Sequence, residues 1–451
     1  MLVERNRILT ETIIRLMRRG STARLSKIIS KVHAADLPAV FLSLSVSNQR
    51  KLFQLIHEPE KKGFVISELD EDISLDIIEG LSLEELAGII ENMPSDDSVA
   101  FIKMLPQNKA DAVLGMMEKT ESEEVEGLLR YKDDTAGSIM IPDFIALKEN
   151  MTAKDVIESL QSKEYLDVEM PFYIYVVDEN ERLVGVSSLR QLVVVPSSTP
   201  LSNFMMKDVI SVTTDMDQEE VAKIVARYNI LAVPVVDEDE KMVGIVTVDD
   251  VIDVFREEAT EDILKMAGVG EEFVETKSIV RSTRIRLPWL FASFLGGIVA
   301  IFIIGYFEES LKQVSYLALF IPVIMGMGGN IGIQSSTIVV RGIATGRINI
   351  RHLWKVVSKE LAIGIILGVF YGVLLGTLVQ FQYSIDALAI SVGIGVISSM
   401  TVAALVGSFM PMIFARIHID PAVATGPFVT SSIDILSVLI YFQVATILLG
   451  I

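Results

Sequence analysis

Apolar positions are distributed differently on either side of residue 280 or so. Beyond it, five stretches are dominated by apolar residues: 287–307, 314–340, 361–381, 387–415 and 422–450. About 20 apolar residues in a helix cross a bilayer core, so each stretch predicts one membrane span. The second, fourth and fifth are long and interrupted by Gly, Pro and polar residues, which predicts tilt, bends or breaks. Before residue 280 the apolar runs are short and repetitive. A 12-residue unit starts at Leu69 and again at Leu81, Met93 and Leu105. Its ninth and tenth places are Ile77-Ile78, Ile89-Ile90, Phe101-Ile102 and Val113-Leu114, with small Gly88, Ala100 and Ala112 just before the last three pairs. Pro94 and Pro106 sit near helix starts, where a missing N–H costs nothing. One short helix and one turn per unit, stacked into a superhelical array, accounts for this spacing. An ordinary bundle in accidental register is the alternative.

A longer repeat follows. Met140–Val156 aligns with Met205–Val221, which pairs Asp143 with Asp208, Ile145 with Ile210 and Met151 with Met216. Further on, Val176-Val177-Asp178 matches Val235-Val236-Asp237, and Gly185 matches Gly244. Each copy reads strand, amphipathic helix, strand, acidic turn, strand, helix. With its Val-Gly-Ile-Val-Thr-Val-Asp-Asp run (243–250), the duplication resembles a tandem CBS pair, two copies packed about a pseudo-twofold axis. The resemblance implies an adenosyl-nucleotide site with a Thr hydroxyl near phosphate and an Asp on the ribose. Thr247 and Asp250 fit that spacing in the second copy, while Ser188 and Gln191 stand there in the first, so at most one such site per chain is implied. A pair serving only folding and dimerisation is the alternative.

Charge sharpens the division. Residues 1–280 carry 53 acids and 29 bases, a net of −24, whereas residues 281–451 carry 6 acids and 10 bases, a net of +4. An acidic half is a poor partner for nucleic acid, whose phosphates need Lys and Arg. It suits cations, or it serves solubility alone. The absence of cysteine excludes disulfides and thiolate metal sites. The first residues lead into a charged amphipathic segment and not a signal-peptide core, so the first 280 or so are expected in the cytoplasm. Bases before span one (Arg281, Arg284, Arg286), between spans two and three (Arg341, Arg347, Arg351, Lys355, Lys359) and between four and five (Arg416) agree with this orientation. A multi-pass protein of the cell's inner membrane is expected, with its C-terminus outside.

Three places offer chemistry. Asp434, in Pro427-Phe-Val-Thr-Ser-Ser-Ile-Asp, is an ionisable group deep in the fifth stretch with no base inside any span, which marks a functional site. Met327-Gly-Gly-Asn-Ile-Gly-Ile-Gln-Ser-Ser puts glycines beside the oxygens of Asn330, Gln334 and Ser335, either to line a path or to hold helices together. Mg²⁺ keeps several waters and takes one or two carboxylates, a need that one Asp duplicated by twofold symmetry would meet. Near the junction, Asp250 and Asp253 precede Glu258, Glu261 and Asp262, whose i, i+3, i+4 spacing shares one helix face. That face is either solvated or relieved of repulsion by a bound cation.

With these residues in place, the chain resembles the MgtE family of magnesium channels over essentially its whole length. Gly-Gly-Asn-Ile-Gly-Ile-Gln (328–334), Asp-Pro-Ala (420–422) and the Gly-Pro-Phe-Val-Thr…Asp run (426–434) carry the resemblance. It implies a multidomain membrane protein: an all-α superhelical N domain (1–130), an α/β tandem CBS pair (131–253), an amphipathic connecting helix region (254–280) and a five-helix α transmembrane domain (281–451). It further implies a homodimer whose paired Asp434 residues hold hydrated Mg²⁺ in a central pore lined by Asn330. Cytosolic Mg²⁺ would close that pore through Asp250, Asp253, Glu258, Glu261 and Asp262, with Glu84 on the N-domain side; ATP or another adenosine nucleotide would occupy the CBS pair. Ile333 stands where the family often has Asn, and Gly88 and Asn229 stand where some relatives carry acids. Weaker closure by Mg²⁺ is the expectation from those losses. A proton-coupled divalent-cation transporter and a membrane-anchored nucleotide sensor are the competing readings. No activated nucleophile or clustered His/Glu set points to an enzyme.

Overall fold

A computed structural model of the chain describes residues 2–161, 170–269 and 279–450. It forms two compact units, Met1–Glu258 and Ala259–Ile451. Of the connecting region 254–280, residues 270–278 lie outside the described residues.

The first unit begins with α1 (Leu2–Arg18), α2 (Thr22–Ile29), α3 (Pro38–Phe41), α4 (Val46–Phe53), α5 (Pro59–Ser67), α6 (Glu71–Ile78), α7 (Leu83–Ile90), α8 (Ser95–Met104), α9 (Gln107–Leu114) and α10 (Lys119–Leu128). Helices α6 to α9 start at 71, 83, 95 and 107, so the 12-residue sequence unit is one helix and one turn. The repeated apolar pairs point inward, with Ile77, Ile78, Ile89, Ile90, Phe101 and Ile102 all buried and Val113 fully so. Burying each such side chain contributes roughly 1.5–3 kcal/mol. Alternate helices touch: α5 meets α7 and α7 meets α9, while α4 meets α6 and α8 meets α10. Between the rows runs a polar seam with twice the sequence period. Ser74 Oγ donates to the Ile66 carbonyl (3.0 Å), Ser98 Oγ to Ile90 (2.9 Å) and Ser122 Oγ to Leu114 (3.0 Å). Each serine satisfies a carbonyl in the last turn of the preceding helix, which has no partner within its own helix.

The duplicated segment folds as two three-stranded sheets. β1 (Ala146–Lys148), β2 (Tyr173–Val177) and β3 (Leu183–Ser188) form one; β4 (Val212–Thr213), β5 (Ala232–Val236) and β6 (Met242–Thr247) form the other. Both pair parallel then antiparallel, with an irregularity at the same place in β2 and β5. The copies exchange edges: Ile141 bridges Ile245 of β6, and Met206 bridges Val186 of β3. Gly185 and Gly244 are matched for a packing reason, since a Cβ would strike Met205 at one and Met140 at the other. Helices α11 (Ala153–Leu160), α12 (Leu189–Val194) and α13 (Gln218–Tyr228) complete the copies, and α14 (Val248–Met266) follows β6.

In the second unit, α15 (Ile279–Tyr306), α17 (Ile321–Ala344), α18 (Leu353–Tyr383), α19 (Asp386–Arg416) and α20 (Pro427–Leu449) are long and apolar enough to cross a membrane; short α16 (Glu308–Gln313) follows α15. The expected interruptions occur as 3-10 turns at Ser315–Phe320 and Pro421–Thr425, before α17 and α20. The fourth stretch instead runs unbroken through Pro411, and Met327–Gln334 stays helical. Helices α18 and α19 approach closely because Gly364, Gly368, Gly372 and Gly376 recur every four residues. A Cβ at Gly372 would lie 2.6 Å from the Gly393 carbonyl oxygen. The third helix begins well before residue 361 and brings a second buried carboxylate into an apolar span. Glu360 lies inside α18, only 4 % exposed, and Ser335 Oγ of α17 donates to it at 2.9 Å.

Candidate functional site

Asp434 sits in the second turn of α20, half-buried, and makes no hydrogen bond or ion pair to any described residue. The helices around it cross closely. A Cβ on Gly328 would meet Ser437 Oγ at 2.9 Å and Ile433 at 3.3 Å, and Ser399 Oγ and Ser437 Oγ share a 2.7 Å hydrogen bond. That crossing buries Gly328, Ile331, Gly332, Ser335 and Ser336 of α17. The opposite face stays open within one chain, and it carries Asn330, Ile333 and Gln334. Ile333 is 45 % exposed there, so the apolar substitution lies on the same open face as Asn330. Asn330 and Asp434 are not hydrogen-bonded to each other among the described residues.

A second acidic locus joins the helical array to the CBS pair within the first unit. Asp250 accepts from the Thr247 N–H (3.2 Å) and from the Thr247 hydroxyl, which caps the start of α14. Ser188 and Gln191 form the equivalent capping pair on α12, as do Ser82 with Glu85 and Thr152 with Asp155. The Thr-x-x-Asp spacing therefore has a helix-capping role, typically worth about 1 kcal/mol. Facing Asp250 is the first turn of α8. Burial, then the nearby charges of Asp250, Glu68 and Asp253, push the Asp97 carboxyl up to about 6, against a lowering hydrogen bond from Ser67. Burial also pushes Asp250 up to about 6, helped by Asp249 and opposed by the hydrogen bonds it shares with Thr247 and Asp96. Periodicity did not single out Glu68, Asp96 or Asp97; Glu84 is exposed in the first turn of α7.

These shifts have a sign. A carboxyl raised from 3.8 to about 6 on folding contributes stability that is present below 3.8 and lost as pH rises through about 6. With divalent ions chelated, the α8–α14 contact should be tighter at about pH 5 than at about pH 7.5. Hydrogen exchange in the first turn of α8, corrected for intrinsic rates, should slow accordingly. Equal protection at both pH values would remove the coupling.

The remaining acids of α14 are engaged separately. Gln218 Nε2 donates to Glu258 at 3.0 Å. Asp253 is exposed, and Asp262 is half-buried with a partner. In the second unit Lys265 Nζ bridges Glu261 and Asp420, 2.7 Å from the latter. Burial works against the Lys265 charge, but Asp420 and Glu261 outweigh it and raise its pKa. Asp420 also accepts from the Ala422 N–H at 2.8 Å, so it caps the turn that leads into α20. Asn229 terminates α13 with φ 52°, a left-handed position that Asn tolerates well. Gly88 is in open space. Among the described residues no three His, Asp or Glu side chains gather to hold a metal ion. The acids at 68, 97, 250 and 253 repel one another without forming a cage.

Comparison with known proteins gives consistent matches. Residues 321–444 match the MgtE divalent cation transporter model, residues 32–134 the MgtE intracellular N domain, and residues 136–199 and 201–257 the CBS domain. The magnesium transporter MgtE of Thermus thermophilus is 40 % identical over 324 residues, 71 % of this chain and 72 % of that protein. MgtE of Bacillus subtilis is 38 % identical over 320 residues, 71 % of this chain and 70 % of that protein. A crystal structure of the cytosolic domain of the Mg²⁺ channel MgtE in complex with ATP superposes with a TM-score of 0.52 at 34 % identity, covering 54 % of this chain and 99 % of that one. The soluble part of a magnesium transporter gives 0.50 at 29 % identity, covering 56 % and 99 %.

Proposed function

The chain belongs to the MgtE family of divalent cation transporters, and from that premise we propose that it is a Mg²⁺-selective channel for magnesium uptake, working as a homodimer. The observation that carries the proposal is Asp434, a carboxylate without a described partner in an apolar helix. Such a group is costly at membrane depth unless a cation compensates it. Hydrated Mg²⁺ accepts one or two carboxylates, and two protomers supply two. Asn330, on the open face of α17, adds an oxygen to the path. Inward flow needs no coupling, because a divalent ion gains roughly 4.6 kcal/mol per 100 mV of membrane potential. Ile252 and Phe255 of α14, 61 % and 40 % exposed, are apolar surface suited to a second copy.

Closure follows from the acidic interfaces. Asp97, Asp250 and Asp253 repel where α8 meets α14, and cytosolic Mg²⁺ would convert that repulsion into attraction. Glu258, Glu261 and Asp262 extend the response along α14, with the first unit in the cytoplasm and the C-terminus outside. The likeness to an ATP-bound cytosolic domain supports a nucleotide at the CBS pair, where Thr247 and Asp250 would exchange their mutual hydrogen bond for ligand contacts.

Flux measured against Mg²⁺ on the cytoplasmic-domain side tests the reading. It should fall by roughly tenfold or more as Mg²⁺ rises and should not respond to an imposed pH gradient. The half-closing concentration should exceed that of relatives with acids at the places of Gly88 and Asn229. Flux that tracks the proton gradient would replace the channel with a coupled transporter, and no flux would leave a membrane-anchored sensor.

A further inference from the structure

Between Glu11 and Asp36 the sequence has no acid and six bases: Arg15, Arg18, Arg19, Arg24, Lys27 and Lys31. Residues 1–31 carry a net charge of +6, while residues 32–280 carry −30. The six bases lie on or beside α1 and α2, and all are exposed. Ile13, Leu25 and Ile29 hold the opposite side of this hairpin in the core. Arg7 pairs with Glu11 at 3.7 Å, but none of the six is in an ion pair among the described residues. The hairpin also precedes the segment that matches the intracellular N domain, which starts at residue 32.

Six unpaired cations on one small hairpin repel each other, and an anionic partner would relieve that repulsion. The rest of the domain limits which partner fits. A long flexible polyanion such as RNA would run from the hairpin onto strongly acidic surface. A planar anionic surface can meet the hairpin while the acidic bulk faces away. The chain's own spans keep such a surface within reach, so a weak contact is sufficient once tethered. Ile8 of α1, 56 % exposed, adds an apolar contact at the headgroup boundary. We propose that the α1–α2 hairpin binds the anionic phospholipid headgroups of the membrane in which the chain is embedded. This rests on membrane embedding with the N-terminal half cytoplasmic, not on channel activity or Mg²⁺ closure.

The chain lacks cysteine, so Ser21→Cys gives a unique label site, and the Ser21 side chain makes no capping bond to lose. The full-length labelled protein would be placed in nanodiscs of phosphatidylcholine alone or with about 30 % phosphatidylglycerol, each with acceptor-labelled lipid. Energy transfer should be higher in the anionic discs by about twofold or more, because each Lys or Arg near such a surface favours contact by roughly fivefold. It should return to the neutral-lipid value in roughly 0.5 M salt, where screening acts within about 4 Å. The set Arg15→Glu, Arg18→Glu and Lys27→Glu should reach the neutral-lipid value at low salt, and the matching Gln set should fall between. Equal transfer in both discs, or no response to charge reversal, would overturn the assignment. So would a label that responds to added RNA but not to anionic lipid.

Discussion

Asp434→Asn should lower Mg²⁺ flux by about a hundredfold or more while leaving the protein folded. A divalent ion held one water layer from a carboxylate, at about 5 Å and an effective dielectric constant near 20, is attracted by about 7 kcal/mol. Losing even half of that removes more than two decades of occupancy. The side chain makes no described hydrogen bond or ion pair, so its removal leaves no donor stranded. A neutral amide is also less costly than a carboxylate at membrane depth. The thermal midpoint of the purified variant should therefore hold or rise while divalent uptake into proteoliposomes is lost. Unchanged uptake would dismiss Asp434 as the ion site.

Gly407→Ala should destabilise the membrane unit, whereas the same change at Gly297 should be neutral or mildly stabilising. A Cβ at Gly407 of α19 would run into the Gly332 carbonyl oxygen of α17 and stand 3.0 Å from its C and Cα atoms. All three are backbone atoms, so no rotamer change relieves the overlap and the helices must separate. Overpacking of this kind costs about 1–3 kcal/mol. Since α17 also carries Asn330, the separation should lower flux as well. Nothing lies within 4 Å of a Cβ at Gly297, where Ala gains helix propensity alone. Thermal unfolding of the two variants in one detergent checks the contrast. A shift of the same sign and size in both would refute the close α17–α19 crossing.

Much of the fold was legible because it is periodic. The 12-residue unit gave the helix starts of α6 to α9, and the Met140/Met205 and Gly185/Gly244 matches marked the edges the CBS copies exchange. Periodicity says which residues face a core, but not which helix end meets another domain. The acids opposite Asp250 therefore had to be found in space: Asp96 and Asp97 open α8, and Glu68 follows α5. Glu360 was missed for a different reason. Lys355 and Lys359 placed it in a connecting segment, yet α18 starts before them and Ser335 reaches it across the helix pair. The bridge from Lys265 to Asp420 joins positions far apart in sequence, which no local pattern anticipates. Asn229 carries the opposite lesson: a residue read for a missing charge also has a backbone reason, its left-handed helix end.

The serine seam of the helical array sets a rule for how this domain can change length. Ser74, Ser98 and Ser122 fall every second unit, each reaching back to the end of the preceding helix. Inserting a single unit would exchange the two rows beyond it. Each serine and its carbonyl lie eight residues apart, so a unit inserted elsewhere carries the pair along intact, and what changes is the row on which the serine-bearing helices stand. Inserting two units returns every serine-bearing helix to its original row. In inheritance the array thus behaves as a chain of paired links, extended or shortened by two helices at a time.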